Sequence, residues 1–186
     1  MELTRVLLIN GSEQDERTAR MISLASESLE ADSVEVEILD PAIHCAADVY
    51  EKWLFAHAVM IIAPAGSSTI AQHVKPHIDR LTAAGYTAHF ADRAYGVVVH
   101  GQGAAIDSTR PLLTGWLDAM GMVDSDSFAA LDRHIGYHEP SIEERADEGD
   151  DDCQEEVRNV ARAVRNAVTE QRAGRLTPPE RRARAA

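Results

Sequence analysis

Short apolar runs alternate along the chain with stretches in which apolar residues recur every three or four positions. Arg5–Asn10, Ala58–Ala63 and Ala94–His100 are nearly continuous apolar runs, as is typical of parallel strands buried on both faces. Val34–Leu39 instead alternates apolar and acidic residues, which predicts a strand with one exposed face at the edge of a sheet. The pattern therefore predicts four clear strands.

Stretches with helical spacing follow these strands. They cover about residues 18–31, 46–57, 69–81, 108–120 and 157–172. Thr18 is a suitable N-cap for the first of them. Because each crossover between parallel strands needs a connecting element, this alternation predicts a doubly wound α/β fold with helices on both faces of the sheet.

The pattern weakens after Gly121. Met122 and Val123 can open a fifth strand, but aspartates interrupt the apolar residues that follow. The acidic segment 143–156 is typical of a solvated loop, and its end, with Asp150–Asp152, complements the dipole of the closing helix. The Arg-, Pro- and Ala-rich segment 173–186 has no apolar anchors, which predicts a disordered basic tail.

The length of the chain indicates that these elements form a single domain. A chain of 186 residues is long enough for one complete core, and we assign it to residues 1–172. Hydrophobic residues at 45% and charged residues at 26% are typical of a soluble globular protein. No apolar run reaches membrane-spanning length, and the N-terminal residues lack the pattern of a signal peptide. We therefore expect a cytoplasmic protein without a membrane partner.

The charged and metal-binding residues argue against two classes of function. A formal net charge of -13 would repel a phosphate backbone, which argues against a nucleic-acid partner. Cys45 and Cys153 lie too far apart for a C-x-x-C site. His73 and His77 share one helical face, but two ligands do not complete a zinc site. We expect no resident metal.

The loop Asn10–Thr18 joins a buried strand to a helix start. It offers the hydroxyls of Ser12 and Thr18, backbone amides and the Arg17 guanidinium, which together could bind a phosphate group. It has neither the P-loop spacing nor the Gly-rich dinucleotide fingerprint. A polar turn with a helix cap accounts for the same residues, so both interpretations stay open on this loop alone.

Three segments at the predicted loops resemble a known family. Gly11–Ser12 followed by Thr18–Ala19 resembles the opening motif of flavodoxin-like NAD(P)H-dependent FMN reductases and quinone oxidoreductases. Pro64–Arg80 lines up without a gap on the second flavin loop of that family, and Val97–Gly103 is similar to the third. The resemblance covers about residues 4–122 and implies a flavodoxin-like, doubly wound five-stranded parallel sheet in the order 2-1-3-4-5.

The resemblance also implies a set of cofactor-binding residues. Ser12, Arg17 and Thr18 would bind the FMN phosphate, residues 65–69 would border the isoalloxazine ring, and residues 100–103 would approach its pyrimidine edge. The complete set is Ser12, Arg17, Thr18, Ala19, Pro64, Ala65, Gly66, Ser67, Ser68, Thr69, His100, Gly101, Gln102 and Gly103. Gln14 stands where the family has an arginine, so Arg17 would replace that charge.

The activity that the resemblance implies is an FMN-dependent oxidoreductase. A hydride would pass from NADH or NADPH through FMN to a small-molecule acceptor such as a quinone, a free flavin or a nitro compound. The family also implies a homodimer or homotetramer, with Trp116 at a twofold interface. Two alternatives stay open. The acidic charge suits a flavodoxin-type electron carrier, and Gly66–Ser67, in place of an aromatic pair, suits a degenerate binding module that has lost FMN.

Overall fold

The computed structural model describes residues 3–12, 15–31, 33–40, 44, 46–66, 74–85, 87–101, 104–125 and 150–174. The strands are β1 Thr4–Asn10, β2 Val34–Leu39, β3 Ala58–Pro64, β4 Ala94–His100 and β5 Val123–Asp124. The helices are α1 Glu16–Leu29, α2 Ala46–Phe55, α3 Lys75–Ala83, α4 Thr87–Phe90, α5 Ala104–Ala119 and α6 Asp150–Arg172.

The strands form one parallel sheet in the order β2-β1-β3-β4-β5. In the register of the sheet, Val6 of β1 lies between Val36 of β2 and Ala58 of β3. This is the predicted flavodoxin-like architecture, and the position of β2 at the edge is confirmed. The uncertain fifth strand is also confirmed, although β5 contains only two residues.

Helices cover both faces of the sheet, as the alternating pattern predicts. One face packs against α1 and α6, with Leu8, Met60 and Val98 among its buried side chains. The opposite face packs against α2, α3 and α5 and contains the bulky Trp53 and Tyr95. Since successive side chains of a strand point to opposite faces, the continuous apolar runs supply both cores at once.

The start of α1 corrects the sequence-based assignment of its N-cap. Thr18 is not the cap; Asp15 is, and its Oδ1 accepts a hydrogen bond of 3.0 Å from the backbone N of Arg17. The helix therefore begins at Glu16, two residues before Thr18. Aspartate is among the preferred N-cap residues because its short carboxylate reaches the unpaired amides of the first turn.

The closing helix corrects the assignment of the acidic segment. Because α6 begins at Asp150, residues 150–156 are helical and are not part of a loop. Carboxylates in a first helical turn are stabilised by the helix dipole, which explains how so acidic a segment becomes helical. The predicted end of this helix at Arg172 is confirmed. Residues 143–149 of the acidic segment and 175–186 of the expected tail lie outside the described residues.

The remaining differences concern helix bounds. The short helix α4 was not predicted, and α5 begins at Ala104, four residues before the predicted position at Ser108. The predicted start of α3, at residues 69–73, lies outside the described residues. Within the described ranges, no helix combines the length and the apolar character needed to cross a membrane.

Candidate functional site

The sheet has a switch point between β1 and β3. After β1 the chain enters α1 on one face, whereas the helix that follows β3, α3, packs on the opposite face. Connections that diverge in this way open a crevice at the carboxyl ends of the strands, where ligands of open parallel sheets bind. Two backbone hydrogen bonds link the strand ends there, from Gly11 N to Ile62 O at 2.8 Å and from Ala65 N to His100 O at 2.7 Å.

The loop after β1 lies tightly against β3. A Cβ atom on Gly11 would come within 2.6 Å of the Ala63 Cβ, so only glycine fits at this position. Ser12 is buried, and its backbone N donates to Asn10 Oδ1 at 3.1 Å. The first residues of the loop are thus held in place before the chain reaches α1.

Asp15, Thr18 and His100 form a polar cluster beside this loop, which we call the Asp15 cluster. Thr18 Oγ1 lies 2.9 Å from Asp15 Oδ2 and 2.7 Å from His100 Nε2. His100 Nε2 is itself 3.5 Å from Asp15 Oδ2. An ionised carboxylate only accepts, so Thr18 donates its single proton to Asp15 and accepts from a protonated Nε2 of His100.

Burial and charge differ among the three residues. Thr18 is fully buried and His100 nearly so, whereas about a third of the Asp15 side chain is exposed. Burial by itself raises the pKa of the Asp15 carboxyl. The hydrogen bonds from the Thr18 hydroxyl and the Arg17 backbone, with attraction to His100, outweigh it and leave the pKa below its ordinary value. Asp15 is therefore ionised at neutral pH.

Two glycines follow the ends of β3 and β4. Gly66 follows β3 with φ at 70°, and its N donates to Thr109 Oγ1 at 2.9 Å. Gly101 follows β4 with φ at 146°, and a Cβ there would come within 2.9 Å of the Ala65 Cβ. Both conformations favour glycine. Both residues are also exposed, so their main chain is accessible from solvent.

The structure brings half of the expected cofactor-binding residues to this one edge of the sheet. They are Ser12, Thr18, Pro64, Ala65, Gly66, His100 and Gly101. Others are placed elsewhere or are not described. Arg17 lines a groove with Arg20 of α1 and Gln154 of α6, and Ala19 is exposed on α1. Gln14, Ser67, Ser68, Thr69, Gln102 and Gly103 lie outside the described residues.

Asp15 is the residue that the sequence analysis missed. A signal was available, since an aspartate three positions before the buried Thr18 and just before an apolar periodic run fits an N-cap. The contact of Thr18 with His100 joins residues 82 positions apart, and no local pattern indicates it. Among the described residues, no group of three or more His, Cys, Asp and Glu side chains is arranged to hold a metal ion.

No family model matches the chain, and no curated protein does either. Solved structures do. The chain is similar to a diflavin flavoprotein A3 from Nostoc sp. (TM-score 0.62, 12% identity, 95% of this chain and 100% of that one). It is also similar to a WrbA-like flavodoxin from Agrobacterium tumefaciens (TM-score 0.60, 15% identity, 90% of this chain and 98% of that one). A third similar structure is RosB with bound 8-demethyl-8-formylriboflavin-5'-phosphate (TM-score 0.65, 13% identity, 93% of this chain and 82% of that one). The fold is therefore flavodoxin-like.

Proposed function

We propose that this protein is a flavin-dependent oxidoreductase. The observation that supports it is the meeting of the carboxyl ends of β1, β3 and β4 at the switch point, where the main chain of Gly66 and Gly101 is exposed. Sheets with this strand order bind FMN at the β1/β3 switch point in flavodoxin. The similar structures named above include flavoproteins, one of them with a bound flavin derivative.

The described residues fit a flavin ring. The ring would lie against the main chain of Ala65, Gly66 and Gly101, and the ribityl chain would run toward Ser12 and Thr18. A bound flavin supplies the chemistry of accepting and releasing a hydride. The protein contributes backbone hydrogen-bonding groups at the loops and a buried His100 that holds a proton on Nε2.

The reaction partners follow from the resemblance. NADH or NADPH would deliver a hydride, and a quinone, a free flavin or a nitro compound would remove it. FMN is the flavin that the resemblance implies. Leu112 and Trp116 lie one turn apart on α5, and the exposure of Leu112 supports pairing of subunits through this face. Sedimentation equilibrium of the wild type and of Leu112→Glu tests that pairing.

A second candidate function is a flavodoxin-type electron carrier. The formal net charge of -13 supports it, because an acidic surface can steer docking onto a basic redox partner. The two functions differ in one step. An oxidoreductase takes a hydride from a nicotinamide nucleotide, whereas a carrier exchanges electrons with a protein.

Flavin titration followed by rapid mixing tests the proposal. The fluorescence of FMN, riboflavin or lumiflavin should be quenched on binding, and NADH or NADPH should then reduce the bound flavin faster than the free one. Gly101→Val should abolish binding, because it places a branched side chain at a positive φ beside Ala65. Gly115→Ala is the control, since a Cβ there meets no atom within 4 Å.

Three outcomes are distinct. If none of the three flavins binds to the wild type, the flavin function is wrong. If flavin binds but the nicotinamide nucleotides reduce it no faster than free flavin, the electron-carrier function is favoured. If Gly101→Val binds flavin as the wild type does, the crevice is not the flavin site.

A further inference from the structure

A carboxylate already lies where the proposed flavin site would receive a phosphate. In this fold the FMN phosphate approaches the loop after β1 and the start of the following helix, whose amides attract anions. Here the amide N of Arg17 donates to Asp15 Oδ1, and the Thr18 hydroxyl donates to Asp15 Oδ2. Two donors that a phosphate would use are therefore bound to the protein's own carboxylate.

The charge at this position opposes a second anion. Asp15 is ionised at neutral pH, and a phosphate monoester adds between about -1.5 and -2 charges. The proton on His100 Nε2 points to Thr18 Oγ1. The Arg17 side chain, which the resemblance would assign to the phosphate, lines a groove beside Arg20 and Gln154 of α6. The geometry of the described residues thus suits the neutral end of a ribityl chain better than its phosphate ester.

We propose that Asp15 makes this site selective for flavins without a 5'-phosphate, so that riboflavin binds in preference to FMN. This inference rests on the proposed flavin function and narrows it. The neutral terminal hydroxyl of riboflavin can hydrogen-bond to the Asp15 carboxylate, because about a third of the Asp15 side chain is exposed. A flavin held without its phosphate contacts exchanges readily, which suits free flavin as a substrate.

Fluorescence titration of riboflavin and FMN with the full chain, at neutral pH and fixed ionic strength, tests the proposal. Riboflavin should bind the wild type at least roughly tenfold more tightly than FMN. The reason is that the doubly charged phosphate of FMN would be repelled by a carboxylate a few ångströms away. Asp15→Asn keeps a good N-cap and removes the charge. It should tighten FMN binding by a similar factor and change riboflavin binding by less than about twofold.

Glu16→Gln is the matched control, because it removes an equal charge from the exposed neighbouring position in the first turn of α1. It should change the FMN affinity by less than about twofold. If Asp15→Asn does not fold, as judged by thermal unfolding, Asp15→Ser offers an uncharged cap for the same comparison.

The outcomes separate this inference from the function on which it rests. FMN binding as tightly as riboflavin, or more tightly, to the wild type would overturn the selectivity while leaving the flavin function intact. An unchanged FMN affinity in folded Asp15→Asn would show that Asp15 does not set the preference. If riboflavin, FMN and lumiflavin all fail to bind, the flavin function is wrong and the selectivity is wrong with it.

Discussion

The two ends of β4 carry polar clusters of different kinds. At the amino end, Arg93 donates to the carbonyl O of Leu54 at 3.2 Å and to the carbonyl O of Ala56, and it lies 2.8 Å from His89 Nε2. At the carboxyl end, His100 joins the side chains of Thr18 and Asp15. The first cluster binds main-chain carbonyls at the end of a helix, whereas the second joins side chains at the edge of the sheet where the proposed flavin site lies.

This difference separates a structural role from a functional one. The last carbonyls of a helix have no partner within it, and Arg93 donates to that of Leu54 in the last turn of α2 and to that of Ala56, just after the helix. Its guanidinium also lies 5.2 Å from the centre of the Phe90 ring. In the Asp15 cluster the hydrogen bonds hold a carboxylate and an imidazole against Thr18, beside the proposed flavin site. Loss of the first cluster should therefore cost stability, and changes in the second should alter ligand binding.

The largest expected effect is on stability, at the amino end of β4. Arg93→Met keeps an aliphatic side chain but leaves the carbonyls of Leu54 and Ala56, at the end of α2, without their charged donor. It should lower the free energy of unfolding by about 2–4 kcal/mol, because hydrogen bonds to charged groups contribute more than neutral ones. Urea denaturation measures this change. The flavin affinity of the folded variant should stay within about twofold of that of the wild type.

Arg162→Met is the control for this comparison. Arg162 is exposed on α6 and contacts Arg158 and Asn159 of its own helix, so its loss should change the free energy of unfolding by less than about 0.5 kcal/mol. Equal losses in the two variants would show that Arg93 does not anchor the end of α2.

A smaller effect is expected at the carboxyl end. Thr18→Val is nearly isosteric but removes the hydroxyl that links Asp15 to His100. It should lower the free energy of unfolding by about 1–3 kcal/mol, since two polar partners lose a hydrogen bond at a buried position. Thr18→Ser keeps the hydroxyl and should lose less. If Thr18→Ser is the less stable of the two, packing of the methyl group matters more than the hydrogen bonds.

The sequence predicted the sheet far better than it predicted the site. The bounds of β4 match because an apolar run buried on both faces has an unambiguous pattern, and the acidic alternation of β2 identified an edge. The start of α6 was missed because acidic residues suit both a solvated loop and a first helical turn. Packing of the apolar face of α6 against the sheet, which a local pattern does not contain, decides between the two.

The geometry of the site was hard to predict because it depends on contacts between segments that are distant in the sequence. The resemblance indicated Ser12, Thr18 and His100 individually, but their geometry follows from where α1 begins. The predicted cap was three residues too late, because Asp15 and Thr18 are both suitable N-cap residues. With Asp15 as the cap, Thr18 becomes a buried residue of the first turn and reaches His100 across the end of β3. A shift of three residues in one helix cap therefore separates a predicted phosphate site from a site that already contains a carboxylate.

The smallest expected effect is the pH dependence of stability that Asp15 contributes. The pKa of this carboxyl is lower in the folded chain than in the unfolded one, because its hydrogen bonds and His100 outweigh the effect of burial. The stabilisation is therefore fully present above the unfolded pKa, near pH 4, and is lost as the pH falls through the folded pKa.

Urea midpoints measured between about pH 6 and pH 2.5 should fall more steeply for the wild type than for Asp15→Asn. The two curves should run parallel above about pH 5, where the carboxyl is ionised in both the folded and the unfolded chain. Glu16→Gln, which alters an exposed carboxyl of the same turn, should follow the wild-type curve. Parallel curves for the wild type and Asp15→Asn over the whole range would mean that the Asp15 cluster does not hold the carboxylate in its charged form.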